Sequence, residues 1–258
     1  MLRKRKIESI FLKEWNAFAT ILENLGKGEL HKNIHDARLH FKKMKSWLAL
    51  CMADGQKAQW ATRNPALQSV YKVIGETRNL FIASSILSSL PYETQPLTRK
   101  IQLKESALKL SLSNKTKELH GFLAAIHNEQ SGHFTDLQEK DIQRFFSNKL
   151  EKLHRFFRKS DLSTAGLHDA RKQLKTIYYA YKLMPGKSRK LVSVNTKYIK
   201  KLQDAIGKWN DIEITLHLLA PYSKQQITLT EHLLIRQNEL FSKIKKQSRN
   251  FLRKATHD

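Results

Sequence analysis

Two short segments of this sequence combine residue types that can grip an anion. Ile34-His35-Asp36-Ala37-Arg38 reappears as Leu167-His168-Asp169-Ala170-Arg171, an offset of 133 residues between His35 and His168. Histidine and arginine both donate to phosphate oxygens, and arginine does so through a planar fork. Behind each segment the cations continue at helical spacing. His31, His35, Arg38, Lys42 and Lys45, with Lys43 beside them, form the first row. His168, Arg171, Lys175 and Lys182, with Lys172 beside them and Tyr178 interposed, form the second. Residues three and four apart lie on one helix face, so such a row places a cation every ~5 Å along the axis. That spacing suits a chain of phosphates better than a single small anion. Like charges at this spacing destabilise a helix slightly, so a duplicated row calls for a reason beyond a solvated surface.

The element carrying each row is predicted to be an amphipathic helix. Ile34, Ala37, Phe41, Met44, Leu48 and Cys51 form an apolar stripe one residue round from the cations, copied as Leu167, Ala170, Leu174, Ile177, Tyr181 and Met184. A second pair of segments follows about forty residues later. Gly75-Glu76-Thr77-Arg78-Asn79 corresponds to Gly207-Lys208-Trp209-Asn210-Asp211 at an offset of 132. A glycine inside a helix costs roughly 1 kcal/mol relative to alanine, so a matched pair predicts close approach of another helix.

Helical periodicity covers the whole chain. The apolar spacing and breakers predict eight helices: Ile7 to Leu25, Glu29 to Ala53, one reaching Leu90, Thr98 to His127, Leu137 to Lys159, Ser163 to Met184, Ser188 to Ala220 and Gln225 to Lys254. Asn64-Pro65 reads as a cap and first-turn proline of the third. Asn128 to His133 reads as the linker between two sets of four, residues 1–130 and 131–258.

Composition narrows the function classes. The chain has 258 residues and a formal charge of +24, with hydrophobic residues at 40%. Such an excess attracts polyanions, and the apolar fraction is ample for a core. Cys51 is the sole cysteine, so an internal disulfide is excluded. The segment after the basic Met1 to Lys6 is broken by charges, and Leu80 to Leu90 is too short to span a bilayer. A cytoplasmic location and no membrane association are expected. His31 and His35 have the spacing of two zinc ligands, but no third ligand accompanies them and Thr164 replaces His31 in the copy. Neither a metal site nor a cofactor site is expected, and no Gly-rich phosphate loop, nucleophile elbow or carboxylate pair suggests an enzyme. Charge alone fits a nucleic-acid binder equally well, although exposed aromatics interleaved with cations, as single-strand binders use, are lacking.

The two His-Asp-Ala-Arg helices with their later glycine segments resemble the conserved histidine α-helical domain, CHAD, and the resemblance covers essentially the whole chain. It implies an all-α fold of two four-helix bundle units related by pseudo-two-fold symmetry, with a basic cleft or pore between them. It also implies non-enzymatic binding of inorganic polyphosphate and association with polyphosphate granules, nucleic-acid binding being the secondary reading. By position, His35, Arg38 and Lys42 match the first motif, and His168, Arg171 and Lys175 the second. Lys45 and Lys182 extend the rows, with His31, Lys43, Arg78, Lys172, Lys201 and Lys208 as outlying candidates. The sequence departs from the family where lysines replace common arginines, and where Asn79 stands for an aspartate. Lysine binds phosphate as a point charge, so stronger salt sensitivity is expected.

Overall fold

The computed structural model describes residues 1–25, 29–51, 65–92, 94, 97–112 and 134–256. The expected breaks at Gly26 to Gly28 and Asp54-Gly55, the Asn64 cap, the stretch 113–127 and the linker at 128–133 lie outside the described residues. Within them the architecture is all-helical; the sole β-type pairing is one antiparallel bridge between Leu2 and Leu137. That bridge ties the start of the chain to the residues before the fifth helix through two backbone hydrogen bonds of 2.8 and 2.9 Å.

The long helices are α1 (Lys4–Glu23), α2 (Leu30–Cys51), α3 (Pro65–Ser88), α4 (97–112), α5 (Glu139–Phe157), α6 (Thr164–Leu183), α7 (Thr196–Leu219) and α8 (Ile227–Ser248). Pro65 is the first residue of α3, where its missing N–H leaves no bond unmade. Ser163 caps α6 by accepting from the Gly166 N–H at 3.2 Å. Two of the expected helices are interrupted. The run from Ser188 to Ala220 is a single turn, Gly186–Arg189, followed by a corner and then α7, which starts where Asn195 accepts from the Tyr198 N–H at 2.8 Å. The run from Gln225 to Lys254 breaks at Asn250, whose φ of 55° ends α8 before a terminal helix, Phe251–Thr256.

Packing follows the apolar stripes. Ile34, Ala37, Phe41, Met44 and Leu48 are buried on α2, as are Leu167, Ala170, Leu174 and Ile177 on α6. Trp47 is anchored further by its indole N–H, which donates to the Ile7 carbonyl of α1 at 3.1 Å. Helix α2 packs on α6, α3 packs on α7, and α2 and α6 also touch α3 and α7 respectively. Two apolar clusters result. The larger joins α1, α2, α5 and α6 with the near ends of α3 and α7. The smaller joins Leu80, Ala83 and Leu87 of α3 to Ile212 and Leu219 of α7, with α4 and α8. Each cluster draws on both halves of the sequence. No described helix is long and apolar enough to cross a membrane.

Candidate functional site

The polar residues one position round from the buried stripes of α2 and α6 come together because those two helices pack on each other. They open onto a cleft of about 500 Å³. Its walls are His35, Arg38, Leu39 and Lys42 of α2, Arg78 of α3, Arg171, Lys175 and Tyr179 of α6, and Lys200, Gln203, Asp204, Gly207, Lys208 and Asp211 of α7.

The two motif arginines are held alike. The Arg38 guanidinium lies 5.2 Å from the Tyr71 ring centroid and presses on the backbone of α3 at Gly75, where a β-carbon would stand 2.7 Å from Nη1. The Arg171 guanidinium lies against Gly207 of α7, where a β-carbon would stand 3.5 Å from Nε and Nη2. The matched glycines therefore make room for guanidinium groups. In both arginines Nε is buried without a hydrogen-bond partner. Burial, more than any neighbour, lowers both from the ordinary arginine value, and Arg78 adds repulsion to each; arginine nevertheless stays charged.

The lysines respond more strongly. Burial pushes Lys42 down to about 6, with Lys175, Arg38, Arg78 and Arg171 adding repulsion. Burial likewise pushes Lys175 down to about 7, helped by Arg171, Arg78 and Arg38 and opposed by Asp211. Repulsion and desolvation both disfavour the charged amine. The carboxylates in the cleft relieve this only in part. Asp204 is held by Lys200 at 2.7 Å. Asp211 lies 3.8 Å from Arg78, and its Oδ1 is buried without a hydrogen bond.

Of the residues expected from sequence, the cleft brings together His35, Arg38, Lys42, Arg171 and Lys175, with Arg78 and Lys208 from the outlying set. The others stand elsewhere. His168 packs against Trp209 at 5.7 Å between ring centroids, with Nε2 3.9 Å from Glu213. Exposed Lys45 is within electrostatic reach of Lys172, which pairs with Asp169 at 3.1 Å. Exposed Lys182 extends over the Tyr178 ring at 5.9 Å. Lys43 pairs with Glu14 at 3.2 Å, and His31 both pairs with Glu105 at 3.2 Å and stacks on Phe81 at 3.8 Å. Lys201 is exposed and outside the lining. Tyr179, Lys200, Gln203 and Asp204 line the cleft although sequence reasoning passed them over. Tyr179 had a signal, since it continues Arg171 and Lys175 in steps of four.

A neighbouring cavity of about 490 Å³ between α3, α7 and α8 shares Lys208 and Asp211 with the cleft. Among the described residues no three His, Cys, Asp or Glu side chains are grouped to hold a metal ion.

The geometry can be set beside known proteins. The family model described as the CHAD domain matches residues 12–220. No curated protein matches the chain. The crystal structure of the CHAD domain from the plant Ricinus communis is similar in fold, with a TM-score of 0.68 at 16% identity, covering 98% of this chain and 91% of that one. With four-fifths of its length matched by that family model, the chain belongs to the CHAD domain family.

Proposed function

We propose that this protein binds inorganic polyphosphate in the cleft between α2, α3, α6 and α7, without chemically transforming it. The observation that carries the reading is the gathering of Arg38, Lys42, Arg171 and Lys175 from two facing helices around a space in which their charges are not balanced. A cluster of cations that drives its own lysines toward neutrality gains most from a ligand dense in negative charge. A phosphate chain supplies about one charge per unit and is slim enough to follow a row of side chains. Among the described residues of the lining the carboxylates are Asp204 and Asp211, and each faces a cation, so these residues offer charge and donors rather than a general base.

The test is charge reversal at both motif arginines, Arg38→Glu with Arg171→Glu. Polyphosphate binding should fall below detection while the helical circular dichroism spectrum is kept. Retained affinity in a folded double variant would place the ligand elsewhere. For the unaltered protein, log affinity should fall with log salt at about −0.7 per phosphate neutralised, as for a flexible strand. Displacement of long-chain polyphosphate by duplex DNA at equal phosphate concentration would replace this reading with nucleic-acid binding.

A further inference from the structure

Lys42 and Lys175 share features that surface lysines lack. They stand on α2 and α6 in one walled cleft, and each is within electrostatic reach of Arg38, Arg78 and Arg171. The opposing wall, from α7, presents Asp211, Lys208 and the paired Lys200 and Asp204. Neither amine has a carboxylate partner within ion-pair distance among the described residues, in contrast to Lys43, Lys109 and Lys172.

We infer that Lys42 and Lys175 are modification sites for small acyl phosphates, which the arginines of the cleft draw in by their phosphate group, and that acylation switches off the binding of phosphate chains. The inference rests on the reading of the cleft as a phosphate site. An acyl phosphate carries the anionic head that the cleft attracts, joined to an electrophilic carbonyl. The amine lone pair of Nζ attacks the acyl carbon, forming a C–N bond. The bond between that carbon and the phosphate oxygen breaks, its electron pair leaves on phosphate, and the amine proton passes to phosphate. The products are a lysine amide and hydrogen phosphate, with no further reactant needed. The guanidinium groups share the cleft with both amines, and stabilising the charge that develops on the departing phosphate would speed the transfer.

The amine must be neutral to react. With values of about 6 and about 7, Lys42 and Lys175 are largely neutral at pH 7.5, whereas an ordinary lysine is neutral to about one part in a thousand. Lower basicity offsets about a hundredfold of that gain, taking the slope of ~0.5 known for thiolate nucleophiles. A preference of about tenfold remains before recruitment by the arginines is counted. The amide product carries no charge and fills part of the cleft, so it opposes phosphate chains on both grounds. Conversely, a bound phosphate chain returns the lysines to their charged form and blocks entry. Acylation is thus confined to the empty cleft.

The experiment treats the full chain with acetyl phosphate across pH 6 to 10 and maps acetylated lysines by peptide mass spectrometry, with exposed Lys187 as internal reference. The uncharged donor p-nitrophenyl acetate is run in parallel. Acetylation of Lys42 and Lys175 by acetyl phosphate should outpace Lys187 by at least about tenfold at pH 7.5 and level off by about pH 8, while Lys187 continues to climb. Tripolyphosphate should protect both sites, and the acetylated protein should lose polyphosphate affinity. Rates no faster than at Lys187, or a profile rising through pH 10, overturn the inference. An equal preference with p-nitrophenyl acetate overturns recruitment by phosphate. Polyphosphate affinity is measured separately on unmodified protein. Selective acetylation without polyphosphate binding sinks the functional reading alone, and polyphosphate binding with unselective acetylation sinks this one alone.

Discussion

Arg38 and Gly75 fit together as a side chain and the space left for it: a β-carbon on residue 75 would come to 2.7 Å from Nη1 of the guanidinium. The matching pair, Arg171 and Gly207, leaves 3.5 Å, an ordinary contact distance. The same glycine thus serves two degrees of closeness, and the difference can be read out by mutation.

Gly75→Ala should push the Arg38 guanidinium out of place and weaken polyphosphate binding about fivefold, equivalent to about 1 kcal/mol. Gly207→Ala should leave affinity within about twofold and raise unfolding stability by up to ~1 kcal/mol through better helix propensity. Calorimetric titration and denaturant unfolding of the two variants check the pair. Equal losses of affinity would show that the glycines do not differ as described.

Affinity should depend on pH through Lys42 and Lys175. A bound polyanion raises both values above about 6 and about 7, so binding takes up protons. Affinity is then highest and level below about pH 6, and it falls as pH rises from 7 toward 9. Titrations in buffers of different ionisation enthalpy should register net proton uptake at pH 8. Lys42→Met together with Lys175→Met should remove most of that uptake.

The unliganded protein should follow the opposite trend in stability. Both lysines have folded values far below the ordinary 10.5, so between pH 6 and 9 the unfolded chain binds more protons than the folded one. Unfolding free energy therefore rises with pH across this window. The slope is at most about 1.4 kcal/mol per pH unit per lysine, and water in the open cleft reduces it. Denaturant midpoints across the window, compared with the double methionine variant, test the assignment; a slope surviving in that variant would refute it.

Glu14 offers a contrast outside the cleft. It is buried on α1, where its carboxylate accepts from His40 Nδ1 at 2.6 Å and pairs with Lys43 at 3.2 Å. Burial raises its pKa, but the His40 bond and the Lys43 charge outweigh that and leave it below the ordinary value. Its contribution is present above the ordinary carboxylate range and is lost as pH falls through the lowered value. Glu14→Gln should cost about 1–3 kcal/mol of stability with polyphosphate affinity unchanged. A large loss of affinity in the folded variant would bring Lys43 into the binding surface.

Much of the fold was legible because the apolar residues of α2 and α6 recur at strict helical spacing beside turn residues. The misread stretches fail for a local reason. Leu191, Val192 and Val194 continue an apolar rhythm through the corner before α7, so periodicity bridges a break that only the Asn195 cap marks. At Asn250 the chain turns through a left-handed residue, which asparagine tolerates better than most. In the site, His35, Arg38 and Lys42 of the α2 row were legible, but a helix advances 100° per residue, so small errors of position decide which way a side chain faces. Lys42 opens on the cleft while Lys43 turns to Glu14; Lys200 lines it while Lys201 does not. Close approach at the repeated glycines was legible, but periodicity does not show that a guanidinium of the preceding long helix is the group that fills each space.

The Arg78 to Asp211 contact across α3 and α7 is one-sided. Its partners occupy neighbouring places in the two duplicated segments, but Asn79 and Asn210 hold the reciprocal places. Two neutral amides cannot form the reciprocal ion pair. One ion pair therefore joins α3 to α7 where strict two-fold repetition would place two or none.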